Sequence, residues 1–181
     1  MWQPVFTPTS RETIFGLCAS PSFDTNGTIF CLGNRGSVFF STDSGSTWGG
    51  IYGLSATAIG FLHDEKAIVG TRNGELHLVK NGRTVMIGTL KRVYDITCLA
   101  SVPEKTGELL FVGTKKSEVI TYDQKRTCVI SANVLSPGSA ITSIAVATDW
   151  AGATLVLSST WHDAIYQSTD FGATWLHQGE G

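Results

Sequence analysis

The sequence predicts an all-β protein, a β-propeller of four-stranded antiparallel blades with four blades in the chain. Three observations favour this fold. An eight-residue motif occurs twice, strands with the same arrangement recur about every 40–45 residues, and 20 of the 181 residues are glycine. Together with 42% hydrophobic residues, this glycine content is typical of a folded, turn-rich β protein rather than a disordered chain.

The repeated motif reads S-T-D-x-G-x-T-W and occupies residues 41–48 and 168–175. The two copies lie 127 residues apart, which equals three blades of about 42 residues. Both copies resemble the Asp-box, or BNR repeat, a hairpin element of sialidase-like and photosystem-assembly-factor-like β-propellers. Residues 20–30 also resemble the segment that precedes Asp-boxes in that family, so the resemblance extends beyond the motif itself.

The motif residues are expected to be structural rather than catalytic. Each aspartate accepts backbone N–H bonds in an Asx-type turn, each glycine supplies a positive φ, and each tryptophan begins the outer strand and covers the blade. The resemblance also implies that this hairpin lies on the propeller face opposite the ligand site. The residues with this structural role are Ser41, Asp43, Gly45, Thr47, Trp48, Ser168, Asp170, Gly172, Thr174 and Trp175.

Each blade is expected to contain strands A to D, counted from the inside outward. Strand A begins near residues 14, 56, 96 and 141, and Asn81-Gly82 predicts the C–D hairpin of the second blade. One domain over residues 1–181 would then hold blades at about 11–54, 55–93, 94–138 and 139–181.

The N-terminal residues 1–10 raise the question of ring closure. Trp2 lies 46 residues before Trp48, about one blade length, so residues 1–10 could form an extra outer strand. Alternatively, Trp2 is a packing residue of an irregular segment. An extra strand leaves three interpretations open: a compact four-bladed ring, half of an eight-bladed ring closed by a second copy, or a fragment.

The predicted ligand-binding rim consists of the B–C turns and the D–A connections. Arg35, Arg72, and Lys115 or Lys116 fall at about the same position in three successive blades, and Tyr94 and Asp95 lie in a D–A connection. If the blades close, a small anion or an acidic loop could bind there by charge-assisted hydrogen bonds. The alternative is that these polar turns serve only solubility.

The fourth B–C turn contains Trp161, His162 and Asp163. An exposed tryptophan beside polar groups is typical of surfaces that bind sugars or protein partners. A hairpin tip held by local packing explains the same residues equally well.

Sialidase activity is the enzymatic function that the resemblance suggests, and several departures argue against it. Those enzymes use three arginines, whereas the third cation here is a lysine, which lacks the bidentate fork. The F-R-I-P motif is absent, and residues 11–14 do not match it. Other glycosidases need two carboxylates across a cleft, and nothing in the sequence pairs Asp95, Glu118 and Asp163.

No catalytic residue, cofactor or metal is therefore predicted. The sequence favours a non-catalytic scaffold that binds a protein or glycan partner through its rim. A glycoside hydrolase of sialidase type, or a fragment of one, is the first alternative, and a self-assembling structural repeat unit is the second.

Charge and cysteine content limit the remaining functions. A net charge of −2 and the lack of a basic stripe argue against nucleic acid, and no membrane span or signal peptide is visible, so a soluble cytoplasmic protein is the default expectation. The cysteines show no C-x-x-C spacing, which argues against zinc. We expect all four to be buried, and a bridge between Cys18 and Cys31 stays open.

Overall fold

The computed structural model describes residues 5–8, 11–62, 66–80, 82–90, 94–104, 107–123, 125–148, 154–162 and 164–178. Within these ranges the chain forms sixteen β-strands and one four-residue helix. The strands pair antiparallel into four separate four-stranded sheets, which are the blades of the propeller. The predicted fold class is confirmed. No helix in the described part of the chain is long and apolar enough to cross a membrane.

Each blade is built from four strands that are consecutive along the chain. Blade 1 contains β1 (Ile14–Ala19), β2 (Ile29–Gly33), β3 (Val38–Ser41) and β4 (Gly49–Ile51). Blade 2 contains β5 (Ala56–Phe61), β6 (Ala67–Thr71), β7 (Glu75–Lys80) and β8 (Arg83–Thr89). Blade 3 contains β9 (Ile96–Glu104), β10 (Gly107–Thr114), β11 (Glu118–Asp123) and β12 (Cys128–Val134). Blade 4 contains β13 (Ile141–Thr148), β14 (Thr154–Thr160), β15 (Ile165–Ser168) and β16 (Leu176–Gln178).

Burial along the strands follows the position of each strand within its blade. Strand β6 is buried at every residue because a second strand in a middle blade packs against neighbours on both faces. Strand β12, at the outer edge of blade 3, instead alternates between exposed and half-buried residues. The Val/Ile/Phe-rich runs of the sequence therefore mark the second strands, and the more polar runs mark the outer ones.

Apolar clusters join the blades in chain order. One cluster lies between blades 1 and 2, a second between blades 2 and 3, and a third between blades 3 and 4. The inner strands of neighbouring blades contact each other at the same three junctions. Among the described residues, no fourth cluster and no comparable strand contact joins blade 4 to blade 1.

The N-terminal segment packs against blade 1. The Phe6 ring stacks on the Trp48 indole with 4.6 Å between centroids and lies 5.2 Å from the Phe39 ring. Residues 5–8 form no strand within the chain, and the possible extra outer strand over residues 1–10 stays a prediction. Trp2, on which that prediction rested, lies outside the described residues.

Two predicted turns can be compared with the structure. Lys80 pairs with Arg83, which leaves the two-residue connection expected for the blade 2 hairpin, although Asn81 itself is outside the described residues. The first turn of blade 1 contains the short helix α1 (Phe23–Asn26), which the sequence did not predict. Gly27 ends it with a φ of 58° and donates its N–H to the Phe23 carbonyl.

The cysteines are all free thiols. Cys18 and Cys31 lie on adjacent strands as expected, but Cys18 pairs with Phe30 and therefore points to the opposite face from Cys31. A bridge between them is thus excluded by the pleat. Cys128 is exposed, so the expectation that every cysteine is buried is wrong for the outer strand of blade 3.

Candidate functional site

The first S-T-D-x-G-x-T-W turn, between β3 and β4, is closed by its own side chains. The Ser41 hydroxyl donates to Asp43 Oδ1 at 2.8 Å and accepts the Gly45 N–H at 2.8 Å. Thr47 donates its N–H to Asp43 Oδ1 at 2.8 Å and its hydroxyl to Oδ2 at 2.6 Å. Trp48 Nε1 donates to the Gly45 carbonyl at 3.0 Å. Both carboxylate oxygens of Asp43 therefore bind groups of the turn itself.

The second turn, between β15 and β16, repeats this network atom for atom. Asp170 accepts from the Thr174 N–H at 2.8 Å and from its hydroxyl at 2.6 Å, while Ser168 Oγ donates to Oδ1 at 2.8 Å. Both motif glycines have a positive φ, as predicted, but so do the residues before them, Ser44 at 58° and Phe171 at 56°. The sequence did not predict a positive φ for Ser44 or Phe171, because the first variable position of the motif is not a glycine.

Hydrogen bonding lowers the pKa of Asp43 and of Asp170 to about 2. The largest cause at Asp43 is the Thr47 hydroxyl, followed by the Thr47 backbone N–H and the Ser41 hydroxyl. Each of these groups donates to the ionised carboxylate and so favours it over the protonated acid.

The variant Thr47→Val tests this cause, because it removes the hydroxyl and retains the shape of the side chain. We expect the pKa of Asp43 to rise toward the ordinary value of about 3.9, while the pKa of Asp170 stays at about 2 and serves as the internal control. A carboxylate-detected NMR titration measures both groups in one sample. Equal pKa values for the two aspartates in the variant would contradict the assignment.

The lowered pKa of the two aspartates also makes the stability of the fold depend on pH. Because the folded pKa lies below the unfolded value of about 3.9, each aspartate stabilises the fold above that pH. This contribution is lost as the pH falls from about 4 toward the folded value of about 2. Denaturant unfolding at stepped pH should therefore show a weaker acid dependence in Thr47→Val than in the parent.

The two motif turns lie at the opposite end of the blades from the B–C turns. At the motif end, Ser44 donates its N–H to the carbonyl of Gly27, which belongs to an A–B turn. At the other end, the first residue of every B–C turn donates its N–H to the residue that precedes strand A. These bonds are Asn34 to Thr13, Arg72 to Ser55, Lys115 to Asp95 and Trp161 to Ala140, at 2.9–3.0 Å.

This hydrogen-bond register shows which rim residues are equivalent between blades. Arg72 and Lys115 share the first turn position with Asn34 and Trp161. Arg35 occupies the next position, which corresponds to Asn73, Lys116 and His162 in the other blades. The cations predicted at about the same position therefore occupy two adjacent positions of the turn.

Glu12 has a role at this end of blade 1 that the sequence analysis missed. In blades 2 and 3 the residue before the turn is Thr71 or Thr114, and its hydroxyl accepts backbone N–H groups of the turn. Blade 1 has Gly33 there, and the buried Glu12 carboxylate accepts the Arg35 N–H and the Ser37 hydroxyl instead. A β-carbon at Gly33 would overlap this carboxylate.

A cavity of about 460 Å³ lies at the same end, where the inner strands of all four blades begin. Its size falls within the usual range for small-molecule sites, about 300–1,000 Å³. Each inner strand has a register shift after its first residue, and the residue at the shift faces the cavity. The described lining residues are Phe15, Thr57, Asp95, Ile96, Thr97, Lys115, Ala140, Ile141, Thr142 and Trp161.

Three of the predicted rim residues meet at this cavity. Asp95, Lys115 and Trp161 line it, and Lys115 Nζ lies 3.7 Å from Asp95 Oδ2. Trp161 is 70% exposed. Its ring meets that of His162 edge to face at 6.3 Å. The described lining does not include Arg35, Arg72, Lys116, Tyr94 or His162, and Asp163 lies outside the described residues.

Seven of the described lining residues were not predicted, and four of these share one position in their blades, namely Phe15, Thr57, Thr97 and Thr142. They are the second residues of the four A strands, so the repeat register of the sequence could have grouped them. The sequence could not show that these side chains face the cavity, because their orientation depends on the register shifts in the inner strands.

The predicted acidic candidates do not form a pair within the described lining. Asp95 is the single carboxylate among those lining residues. Glu118 is buried in the blade, and its N–H donates to the Thr114 hydroxyl at 3.1 Å. Two-carboxylate hydrolysis needs a second carboxylate across the cleft, and the described lining residues include none.

The structure is similar to a solved protein of the same fold. A computationally designed protein, Ika4, matches with a TM-score of 0.70 and 15% sequence identity over 93% of this chain and 99% of that chain. At this identity the likeness shows the fold alone. No family model and no curated protein matches the chain.

Proposed function

We propose that this chain is a non-catalytic binding module of the Asp-box type, whose cavity at the B–C end of the blades takes a neutral glycan. The observation that carries the proposal is the cavity itself. It combines exposed aromatic rings, several hydroxyl groups and one ion pair where the four blades converge.

The aromatic residues supply the surface for a sugar ring. Trp161 is 70% exposed and Phe15 is 58% exposed, and both line the cavity. Large aromatic groups left in water at a concave site gain by covering the apolar face of a ligand, and tryptophan is enriched among residues that dominate binding.

The polar residues of the cavity suit a neutral ligand better than an anion. Lys115 Nζ lies 3.7 Å from Asp95 Oδ2, so the charges of the two side chains balance each other. Thr57 donates its hydroxyl to the Gly70 carbonyl, which leaves the lone pairs of Thr57 Oγ1 for sugar hydroxyl donors. Thr142 Oγ1 shares a hydrogen bond of 2.8 Å with the Ser159 hydroxyl. This charge balance also argues against a sialic acid carboxylate, which would need unpaired cations.

The Asp-box assignment rests on the two turn networks. An identical set of serine, aspartate, threonine and tryptophan hydrogen bonds at two positions supports descent from one repeated hairpin. Because these hairpins lie at the opposite end of the blades from the cavity, they stabilise the blades and leave the other end free to bind.

Screening against an array of neutral and sialylated glycans tests the proposal, followed by titration of the best ligand by calorimetry. We expect binding to neutral glycans and a loss of about tenfold or more in affinity for Trp161→Ala, about 1.4 kcal/mol. Phe23→Ala is the matched control, since Phe23 is a partly exposed aromatic at the A–B end of blade 1.

The outcomes separate the candidates. Equal weakening by Trp161→Ala and Phe23→Ala, or hydrolysis of the bound glycan, would overturn the proposal. An apolar loop of another protein is the second candidate, which the exposed Trp161 and Phe15 side chains also favour. If no glycan on the array binds, and a defined protein partner is captured in a way that depends on Trp161, the second candidate is established instead.

A further inference from the structure

The blades have two kinds of face, and equivalent positions on them follow from strand pairing. We call the face toward the next blade the forward face and the face toward the preceding blade the backward face. On the forward face, the third strands contribute Val38, Leu76 and Val119 in blades 1 to 3, and Ile165 is the equivalent in blade 4. The first three are fully buried at a junction, whereas Ile165 is 52% exposed.

The rest of the blade 4 forward face is apolar as well. Ala145 and Leu157 pair across β13 and β14 and point the same way as Ile165. Leu176 on β16 is also largely exposed. The equivalents of Leu157 in blades 1 to 3 are Phe30, Ile68 and Phe111, and each belongs to the apolar cluster of its junction. Blade 4 therefore presents the surface of a junction that no described residue of the chain covers.

The backward face of blade 1 is the complementary surface. Leu17 on β1 is 71% exposed. Its equivalents are Ile59, Leu99 and Ile144, and each of these packs into the cluster that joins its blade to the preceding one. Thus one molecule exposes one forward face and one backward face, and the same two kinds of face meet at three junctions within the chain.

Three side chains of blade 3 donate to the second motif turn, namely Thr121, Ser131 and Asn133. Leu176 takes the place of Ser131 in blade 4, and the other two donors have polar equivalents there. Thr121 Oγ1 donates to the Phe171 carbonyl at 3.2 Å, and Asn133 Nδ2 donates to the Gly172 carbonyl at 2.7 Å. The equivalents of the two donors in blade 4 are Gln167 and Gln178, by strand pairing. Gln178 donates to Gln167 at 2.9 Å on the exposed face.

The acceptors of that junction are present on blade 1. Phe171 and Gly172 correspond to Ser44 and Gly45 of the first motif turn, which has the same hydrogen-bond network and the same positive φ values. The amides of Gln167 and Gln178 are therefore matched in kind and position to the carbonyl groups of Ser44 and Gly45 on another molecule.

We infer that two copies of this chain associate head to tail at both ends, with the forward face of blade 4 on each copy packed against the backward face of blade 1 on the other. Two such junctions close a ring of eight blades, which is within the range of known propellers. Closure removes both unpartnered faces and has the two-fold symmetry most common in oligomers. This inference does not depend on the ligand of the cavity.

The N-terminal segment is compatible with this junction. Phe6 covers Phe39 and Trp48 on the outer part of the backward face, while Leu17 on the inner strand stays exposed beside it. Val5 is largely exposed next to Phe6 and adds to the apolar surface that an incoming blade would meet.

A charge-exchange pair tests the inference. Gly60 contacts Leu99 across the blade 2–blade 3 junction, where a β-carbon at Gly60 would lie 3.5 Å from Leu99 Cβ. The equivalent pair across the inferred junction is Ala145 with Leu17 of the second copy. We expect the parent protein to have twice its 19.4 kDa chain mass in solution, and Leu17→Lys or Ala145→Glu alone to give a single-chain mass. Leu17→Lys combined with Ala145→Glu should restore the dimer.

Light scattering after size exclusion, over a series of protein concentrations, measures the mass. Both positions are exposed in the single chain, so circular dichroism should show each single variant folded. Ile130→Lys, at an exposed apolar position on the outer strand of blade 3, is the control that should remain dimeric. A parent protein of single-chain mass, a dimer unaffected by Leu17→Lys, or an assembly larger than a dimer would each overturn the inference.

Discussion

Replacing Phe111 with alanine should destabilise the fold by about 3–5 kcal/mol, the range for a fully buried phenylalanine. Phe111 is completely buried in the cluster between blades 3 and 4, together with Val119 and Ile141. Truncation removes apolar surface from that cluster and leaves a cavity between two rigid sheets that cannot close it. Urea unfolding, followed by tryptophan fluorescence, measures the loss as a change in midpoint at constant slope.

Leu157→Ala is the matched control for this prediction, because Leu157 occupies the same forward-face position in blade 4. It is half-buried, so its truncation should cost about 1 kcal/mol or less in a single chain. Both substitutions are to be made in the Leu17→Lys background, which prevents association through the inferred junction. Equal losses for the two would show that the forward face of blade 4 is covered within one molecule.

Gly172→Ala is the second substitution with a large expected effect, about 2–5 kcal/mol. Gly172 has a φ of 82°, where a side chain costs about 1–2 kcal/mol. An added β-carbon would also lie 2.7 Å from Thr121 Oγ1 and 3.2 Å from Phe111. Overpacking at such a contact typically costs about 1–3 kcal/mol more, since the second motif turn is held against blade 3.

Gly45→Ala separates these two causes. Gly45 has a φ of 89°, but a β-carbon there would have Trp48 as its nearest neighbour, at 3.9 Å. In the Leu17→Lys background we expect only the backbone cost of about 1–2 kcal/mol. Thermal unfolding of both variants gives the difference directly. A larger loss for Gly45→Ala than for Gly172→Ala would contradict the packing difference between the two turns.

Most of the blade architecture could be predicted from local patterns. The four inner strands begin at the predicted residues, and the outer strands of blades 1 and 4 begin one residue after the motif tryptophans that were expected to start them. These features depend on residue types at short spacing, since an alternating apolar run, a turn residue and a hydrogen-bonding aspartate act within a few residues. The helix α1 was missed for the same reason, because a single helical turn differs little from an ordinary turn in composition.

The cavity was predicted only in part. Asp95, Lys115 and Trp161 were recognised as polar or aromatic groups in turns, and they do line it. Phe15 and the three threonines were not, because their orientation comes from a one-residue register shift at the start of each inner strand. A shift of one residue moves a side chain from one face of a sheet to the other.

The sequence by itself therefore determined the repeat length, the number of blades and the positions of the two aspartate turns, all of which follow from local patterns. Only the tertiary structure decided which side chains face the cavity and which faces of the blades are covered. Val38 and Ile165 occupy equivalent positions, but only Val38 is buried, because another blade packs against blade 1 at that position. That depends on contacts between distant blades, which short-range patterns do not encode.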